Sequence, residues 1–166
     1  MKRSWKRKVI VKVKSVISKI VLFFLYKGFK LTYRKDLSVK SEIEPWKEGF
    51  TFGINTGIQG VNLIIKKENG KLIRLKEENK LDLEIVFKSI DVAFLMFTGR
   101  LGVSKAYAEH RFILKGEIGK AMSLVRCIDI VEAYLFPKII SKRILKEVPN
   151  KSMGLIKTYG EILITR

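Results

Sequence analysis

One cysteine and one histidine are all that 166 residues provide, so a disulfide within the chain is excluded and no Cys/His cluster of metal-ligand spacing exists. The disulfide framework of small secreted domains is therefore absent, and a cytoplasmic location is the expectation. Cys127 stands among Val125, Ile128 and Ile130 and reads as a small buried hydrophobe. His110, within Ala108-Glu109-His110-Arg111, reads as a solvated surface group with no cysteine nearby. No nucleophile elbow, HExxH, Ser-His-Asp order or paired-carboxylate motif occurs, so no catalytic residue, metal or cofactor is expected. Gly53, Gly57 and Gly60 match neither a dinucleotide fingerprint nor a P-loop and read as turn glycines between strands.

Acid is scarce at one end of the chain. Residues 1–40 carry thirteen Lys and Arg against the single Asp36, +12 of the total +18. A basic arm of this kind calls for an anionic partner, phospholipid head groups or nucleic-acid phosphates. A long uncharged apolar run is missing too. Lys12, Lys14 and Lys19 interrupt this region, its longest uncharged apolar run is Ile20 to Tyr26, and no small-x-small cleavage site follows. Spanning a bilayer needs about 20 apolar residues, so neither a membrane span nor a signal peptide is expected.

What is present there is helical amphipathicity. On a wheel, Val9, Ile10, Val13 and Val16 share a broad face with Ile17, Ile20, Val21 and Phe24. Lys8, Lys12, Lys14, Ser15, Ser18 and Lys19 share the other. Leu22, Phe23, Leu25 and Tyr26 extend the apolar surface nearly all round. Two readings stand open: an in-plane interfacial helix, with Lys8, Lys12, Lys19, Phe23, Phe24 and Leu25 as membrane contacts, or a helix that packs its apolar face on the protein's own sheet. The β-branched stretch Val9-Ile10-Val11 to Val13 also allows a strand. Bulky apolar residues among the lysines favour lipid over nucleic acid, which lacks a stacking platform or recognised motif here.

From Pro45 the grammar changes to strands. Phe50, Phe52 and Ile54 alternate, as do Val61, Leu63 and Ile65, and Asn69-Gly70 predicts a hairpin turn into a strand over Lys71 to Leu75. A fourth strand over Leu81 to Phe87 places Leu83, Ile85 and Phe87 on one face and Asp82 and Glu84 on the other. The most specific stretch follows. Asp91 opens an apolar run to Phe97, then come Thr98-Gly99-Arg100-Leu101 and Lys105-Ala106-Tyr107. A strand over Arg111 to Lys115 leads to Gly116-Glu117-Ile118, which opens a helix with Ala121-Met122 and Leu124. This order resembles the signature of the sterol carrier protein 2 family, over about residues 45 to 125.

The resemblance implies an α/β (α+β) fold, a five-stranded, mainly antiparallel sheet covered by helices, here with an extra N-terminal amphipathic helix. It also implies an apolar tunnel for a fatty acyl chain, acyl-CoA or sterol-like lipid. Phe94, Phe97, Leu101, Tyr107, Phe112 and Leu114 are its expected lining, with Ile118, Met122 and the strand residues Leu83, Ile85 and Phe87. Such bulk makes either a core or a cavity wall, and both readings remain open residue by residue. The organisation read from this is a basic helix over 1–40, the lipid-binding domain over 45–136 and a basic extension over 137–166. The long basic start and the tail depart from the family pattern. In the tail, Pro137 should break a helical stretch over Ile128 to Leu145 that Pro149 ends, with Lys138, Lys142, Arg143 and Lys146 keeping it basic. Leu155 to Thr165 alternates weakly and reads as an edge strand or as a segment that docks on a neighbouring subunit.

The functional expectation is non-catalytic binding or carriage of a lipid at an anionic membrane surface. A basic nucleic-acid-associated protein, or an accessory subunit presenting a lipid intermediate to an enzyme, are the alternatives.

Overall fold

The computed structural model describes residues 2–145, 149 and 153–164; Lys146 and Thr165 of the tail reading lie outside them. Helix α1 (Lys2–Lys35) runs unbroken for 34 residues, about 51 Å at 1.5 Å per residue. The strand alternative for Val9 to Val13 is thereby overturned. The helix prevails because its second half buries a stripe at helical spacing: Ser18, Leu22, Leu25, Phe29 and Thr32 are all at most 5% exposed.

This is not the stripe that hydrophobicity favours. Val9, Val13, Val16, Ile20 and Phe23 are 42–52% exposed, while Ser18 and the stem of Lys14 turn inward. The rotation is set further along the helix, at Gly28. A Cβ there would lie 2.7 Å from Val131 Cγ1, so only glycine lets the two helices approach this closely. Lys14 then sits over the Phe94 ring, 5.6 Å from its centroid, and pairs with Asp91 at 2.5 Å.

Asp36 ends α1 and begins α2 (Leu37–Ile43). Its carboxylate accepts from the Ser38 and Val39 amides at 2.9 and 3.2 Å, as an N-cap does. The same carboxylate accepts from the Tyr134 hydroxyl at 2.7 Å, tying the elbow to the long helix α5 (Ile118–Leu135). Farther along α2, Arg126 grips Glu42 with two hydrogen bonds at 2.5 and 2.7 Å, and buried Trp46 donates to Ser123 Oγ at 3.1 Å.

Five strands follow: β1 (Thr51–Asn55), β2 (Asn62–Glu68), β3 (Lys71–Leu75), β4 (Leu83–Phe87) and β5 (Phe112–Gly116). Their order in the sheet is β3-β2-β1-β4-β5, antiparallel except for the central β1–β4 pair. Asn69 and Gly70 both take positive φ, the geometry of a type I′ hairpin, as the dipeptide predicts. The register puts Phe52 level with Ile65 and Leu83, and Phe87 level with Phe112, so these face the helices together. Glu84, Lys115 and Ile113 point the other way, toward solvent. Gly53 is not a turn residue but the middle of β1, where a Cβ would meet Leu81 Cδ1 at 2.4 Å. Lys67, 5% exposed, reaches the helix layer and donates to the carbonyls of Glu44 and Trp46 at 2.8 and 2.7 Å.

Helices α3 (Ile90–Phe97) and α4 (Val103–Ala108) fill the connection from β4 to β5. Gly116, at φ 122, makes the strand-to-helix switch where any Cβ would lie 2.4 Å from the Asp82 carbonyl oxygen. Pro137 separates α5 from α6 (Lys138–Ile144). The edge strand expected over Leu155 to Thr165 is instead helix α7 (Leu155–Ile164). Thr158 and Ile162, four apart, are its buried residues. Tyr159 meets the Phe24 ring at 5.7 Å and donates to the Leu135 carbonyl at 2.7 Å, contacts that fit helical spacing and not alternation.

Candidate functional site

Where the helices leave the sheet, an apolar cavity of about 40 Å³ remains. The sheet contributes Ile54, Ile85, Phe87 and Phe112; α3 contributes Met96 and Phe97; α4 contributes Val103. Helix α1 supplies Val21 and Leu25, and α5 and its end supply Ile128, Glu132, Leu135 and Phe136. A groove of about 300 Å³ lies beyond, along Tyr107, Leu114, Ile118, Met122 and Val125. Val103 and Phe112 belong to both, so they form the partition. A file of aromatic rings crosses it: Phe97 to Phe87 at 5.6 Å, Phe87 to Phe112 at 5.9 Å, Phe112 to Tyr107 at 5.8 Å.

The expected lining residues thus divide. Ile85, Phe87, Phe97 and Phe112 meet at the cavity, and Tyr107, Leu114, Ile118 and Met122 meet with Phe112 at the groove. Leu83 lines neither, being wholly buried between sheet and helices. Phe94 lies half-buried under Lys14, and Leu101 packs at the edge of the core.

Of the expected membrane contacts, Lys8, Lys12, Lys19 and Phe23 are exposed. Leu25 is 5% exposed and lines the cavity, and Phe24 is half-buried against Tyr159. Both lie on the packed side because Gly28 fixes the helix rotation one turn later. The exposed apolar stripe runs instead through Trp5, Val9, Val13, Val16, Ile20 and Phe23. Beneath the start of α1 a basic recess of about 480 Å³ holds Arg7, Lys14 and Lys88, with Asp91 as the acid.

Glu132 escapes a reading based on apolar bulk. Among the described residues it is the one polar side chain of the cavity wall, and no described group hydrogen-bonds its carboxyl. Burial among apolar neighbours, then the charge of Asp129 one turn earlier, pushes it up to about 8. Burial also raises Asp129, to about 6. The available signal was spacing: Glu132 is four residues from both Ile128 and Phe136, at a core position of an apolar helix.

Cys127 is buried, and burial pushes its thiol up to about 12, which leaves no thiolate for chemistry near neutrality. Among the described residues no group of three His, Cys, Asp or Glu could hold a metal ion, and no helix is long and apolar enough to cross a membrane.

No family model and no curated protein matches the chain. Solved structures do. The chain is similar to sterol carrier protein 2 structures. One is the ubiquinone synthesis protein UbiJ-SCP2, at 16% identity over 72% of this chain and 95% of that one, TM-score 0.43. Sterol Carrier Protein 2 Like 2 from Aedes aegypti matches at 15% identity over 54% and 95%, TM-score 0.37. A conserved hypothetical protein of Thermus thermophilus, whose description names sterol carrier protein, matches at 14% over 64% and 85%, TM-score 0.41.

Proposed function

We propose that the protein binds a single-chain lipid between its helices and sheet, without catalysis, and rests by α1 on an anionic membrane surface. The observation that carries the first part is the shared wall of cavity and groove. Neither space alone suits a lipid: the cavity takes a group the size of a water molecule, and the groove is open to solvent. Rotation of Phe112 would join them into one apolar path of the size small-molecule sites have. An edge-on contact with Phe87 on one side of Phe112 and a tilted contact with Tyr107 on the other keep the passage between the two spaces aromatic.

The second part is supported by the exposed stripe of α1. Apolar groups facing water at 4-3-4-3 spacing, flanked by Lys8, Lys12 and Lys19, match an interfacial helix. A second copy of the same helix would meet like charge along its whole length.

The test of lipid binding is titration with diphenylhexatriene, an uncharged apolar dye, together with mass spectrometry of lipid extracted from the purified protein. Native protein should bind the dye. Met122→Asp, at a residue 51% exposed, should keep the fold and weaken dye binding about tenfold, because a charge in an apolar site carries a desolvation penalty. Absence of both dye binding and extractable lipid would remove the proposal.

A further inference from the structure

Of the residues that line the cavity, only Val21, Glu132 and Phe136 are partly exposed. The opening therefore lies between α1 and the end of α5, with Glu132 in its rim. A second polar group without a partner lies on α1, about one turn before Val21. The Ser18 hydroxyl is buried and unbonded, three and seven residues before Val21 and Leu25 on the same stripe of α1. A buried hydroxyl without a partner on α1, and a carboxyl without one in the rim of an otherwise apolar cavity, are each a place where a ligand supplies missing hydrogen bonds.

We propose that Glu132, seconded by Ser18, is the head-group end of the site, and that the lipid it selects carries an uncharged hydrogen-bonding head, a long-chain alcohol or ester, with its chain running inward past Phe87 toward Phe112. This rests on the lipid-binding reading above and narrows it. Near neutrality the Glu132 carboxyl is mainly protonated, so it both donates and accepts, as a hydroxyl or ester head requires. The charge acting on it among the described residues is Asp129, another acid. A phosphate or CoA head would meet the charge of Asp129, and no cation is among the described charges that act on Glu132, for Lys14 is engaged with Asp91 and Lys12 and Lys19 are on the exposed side of α1. An ammonium head would require Glu132 to ionise against the burial that keeps it neutral. The mouth adjoins the stripe proposed for the membrane, since Val21 follows the exposed Ile20 directly.

The experiment is displacement of diphenylhexatriene by three ligands of one chain length: an alcohol, its phosphate monoester and the corresponding amine. In the native protein the alcohol should displace the dye at about a tenth of the concentration the other two need. Glu132→Leu should melt at higher temperature because an unpaired carboxyl is gone, and should lose about fivefold in alcohol affinity. Glu132→Gln, which keeps a donor and an acceptor, should stay within about twofold of native. Dye binding with the phosphate or amine preferred, or with Glu132→Leu equal to native toward the alcohol, overturns the head-group assignment and leaves lipid binding standing. Failure of dye and ligands alike overturns both.

Discussion

Cys127, Asp129 and Glu132 lie within two turns of α5, and burial drives all three toward their neutral forms. For the acids this has a direction in pH. Glu132 rises from its ordinary 4.5 to about 8, so the folded chain holds a proton that the unfolded chain has released over that interval. Stability from this group is whole below about pH 4.5 and is lost as pH climbs through 8, and Asp129 acts likewise up to about 6. Glu42 works in the opposite sense. Its hydrogen bonds from Arg126 hold it below the ordinary carboxylate range, and the stability this gives disappears on acidification. Urea unfolding at a series of pH values should therefore show native stability declining from about pH 5 to pH 8, and Glu132→Gln should flatten that decline. An unchanged slope in the variant would show that Glu132 ionises normally.

At the scale of elements, the close approach of α1 to α5 depends on the missing side chain of Gly28. A Cβ there meets Val131 at 2.7 Å, and a larger group would also meet Leu135. Gly28→Leu should cost about 1–3 kcal/mol in urea unfolding despite the better helix propensity of leucine, since overpacking a tight contact outweighs it. A neutral or stabilising outcome would mean that the helices separate freely.

Such contacts explain what the sequence could and could not reveal. The strands were legible because each buries one face, as Leu83, Ile85 and Phe87 do, and because Asn69-Gly70 states its turn. The helix rotation was not. Periodicity ranks Val9, Val13, Val16 and Ile20 above a face that holds Lys14 and Ser18, yet Leu22, Leu25 and Phe29 decide the setting from farther along. The helix of the tail was not legible either, because its landing surface, Phe24 and the Leu135 carbonyl, is far away in sequence. Bulk, with the family resemblance, pointed to Ile85, Phe87, Phe97 and Phe112 as candidate wall residues. It could not reveal Glu132, because an acid on a helix is ordinarily read as facing water.

For the whole molecule, the charge of +18 and the uncovered stripe of α1 act together. Each Lys or Arg near an anionic bilayer contributes about 1 kcal/mol, a pull that duplex DNA offers equally. Insertion of the stripe adds about 25 cal/mol per Å² of apolar surface, which DNA cannot match. Changing Val13, Val16 and Ile20 together to Ser should weaken co-sedimentation with anionic vesicles severalfold and leave duplex binding at equal salt unaltered. Leu25, inside the cavity wall, has no place in that test. Equal vesicle binding by the variant would sink the interfacial reading.

The pairing of the first helix with the fifth has one more consequence, during synthesis. Phe29 and Gly28 leave the ribosome about a hundred residues ahead of Val131 and Leu135, a delay of roughly 5–20 s at bacterial and eukaryotic elongation rates. Through that interval the nascent helix has no α5 to lie against, and Leu22, Leu25 and Phe29 are as bare as the stripe that stays outside. The newborn chain is thus apolar on two sides before it is a protein, and whatever shelters it then, a chaperone or a lipid surface, meets α1 before the sheet exists.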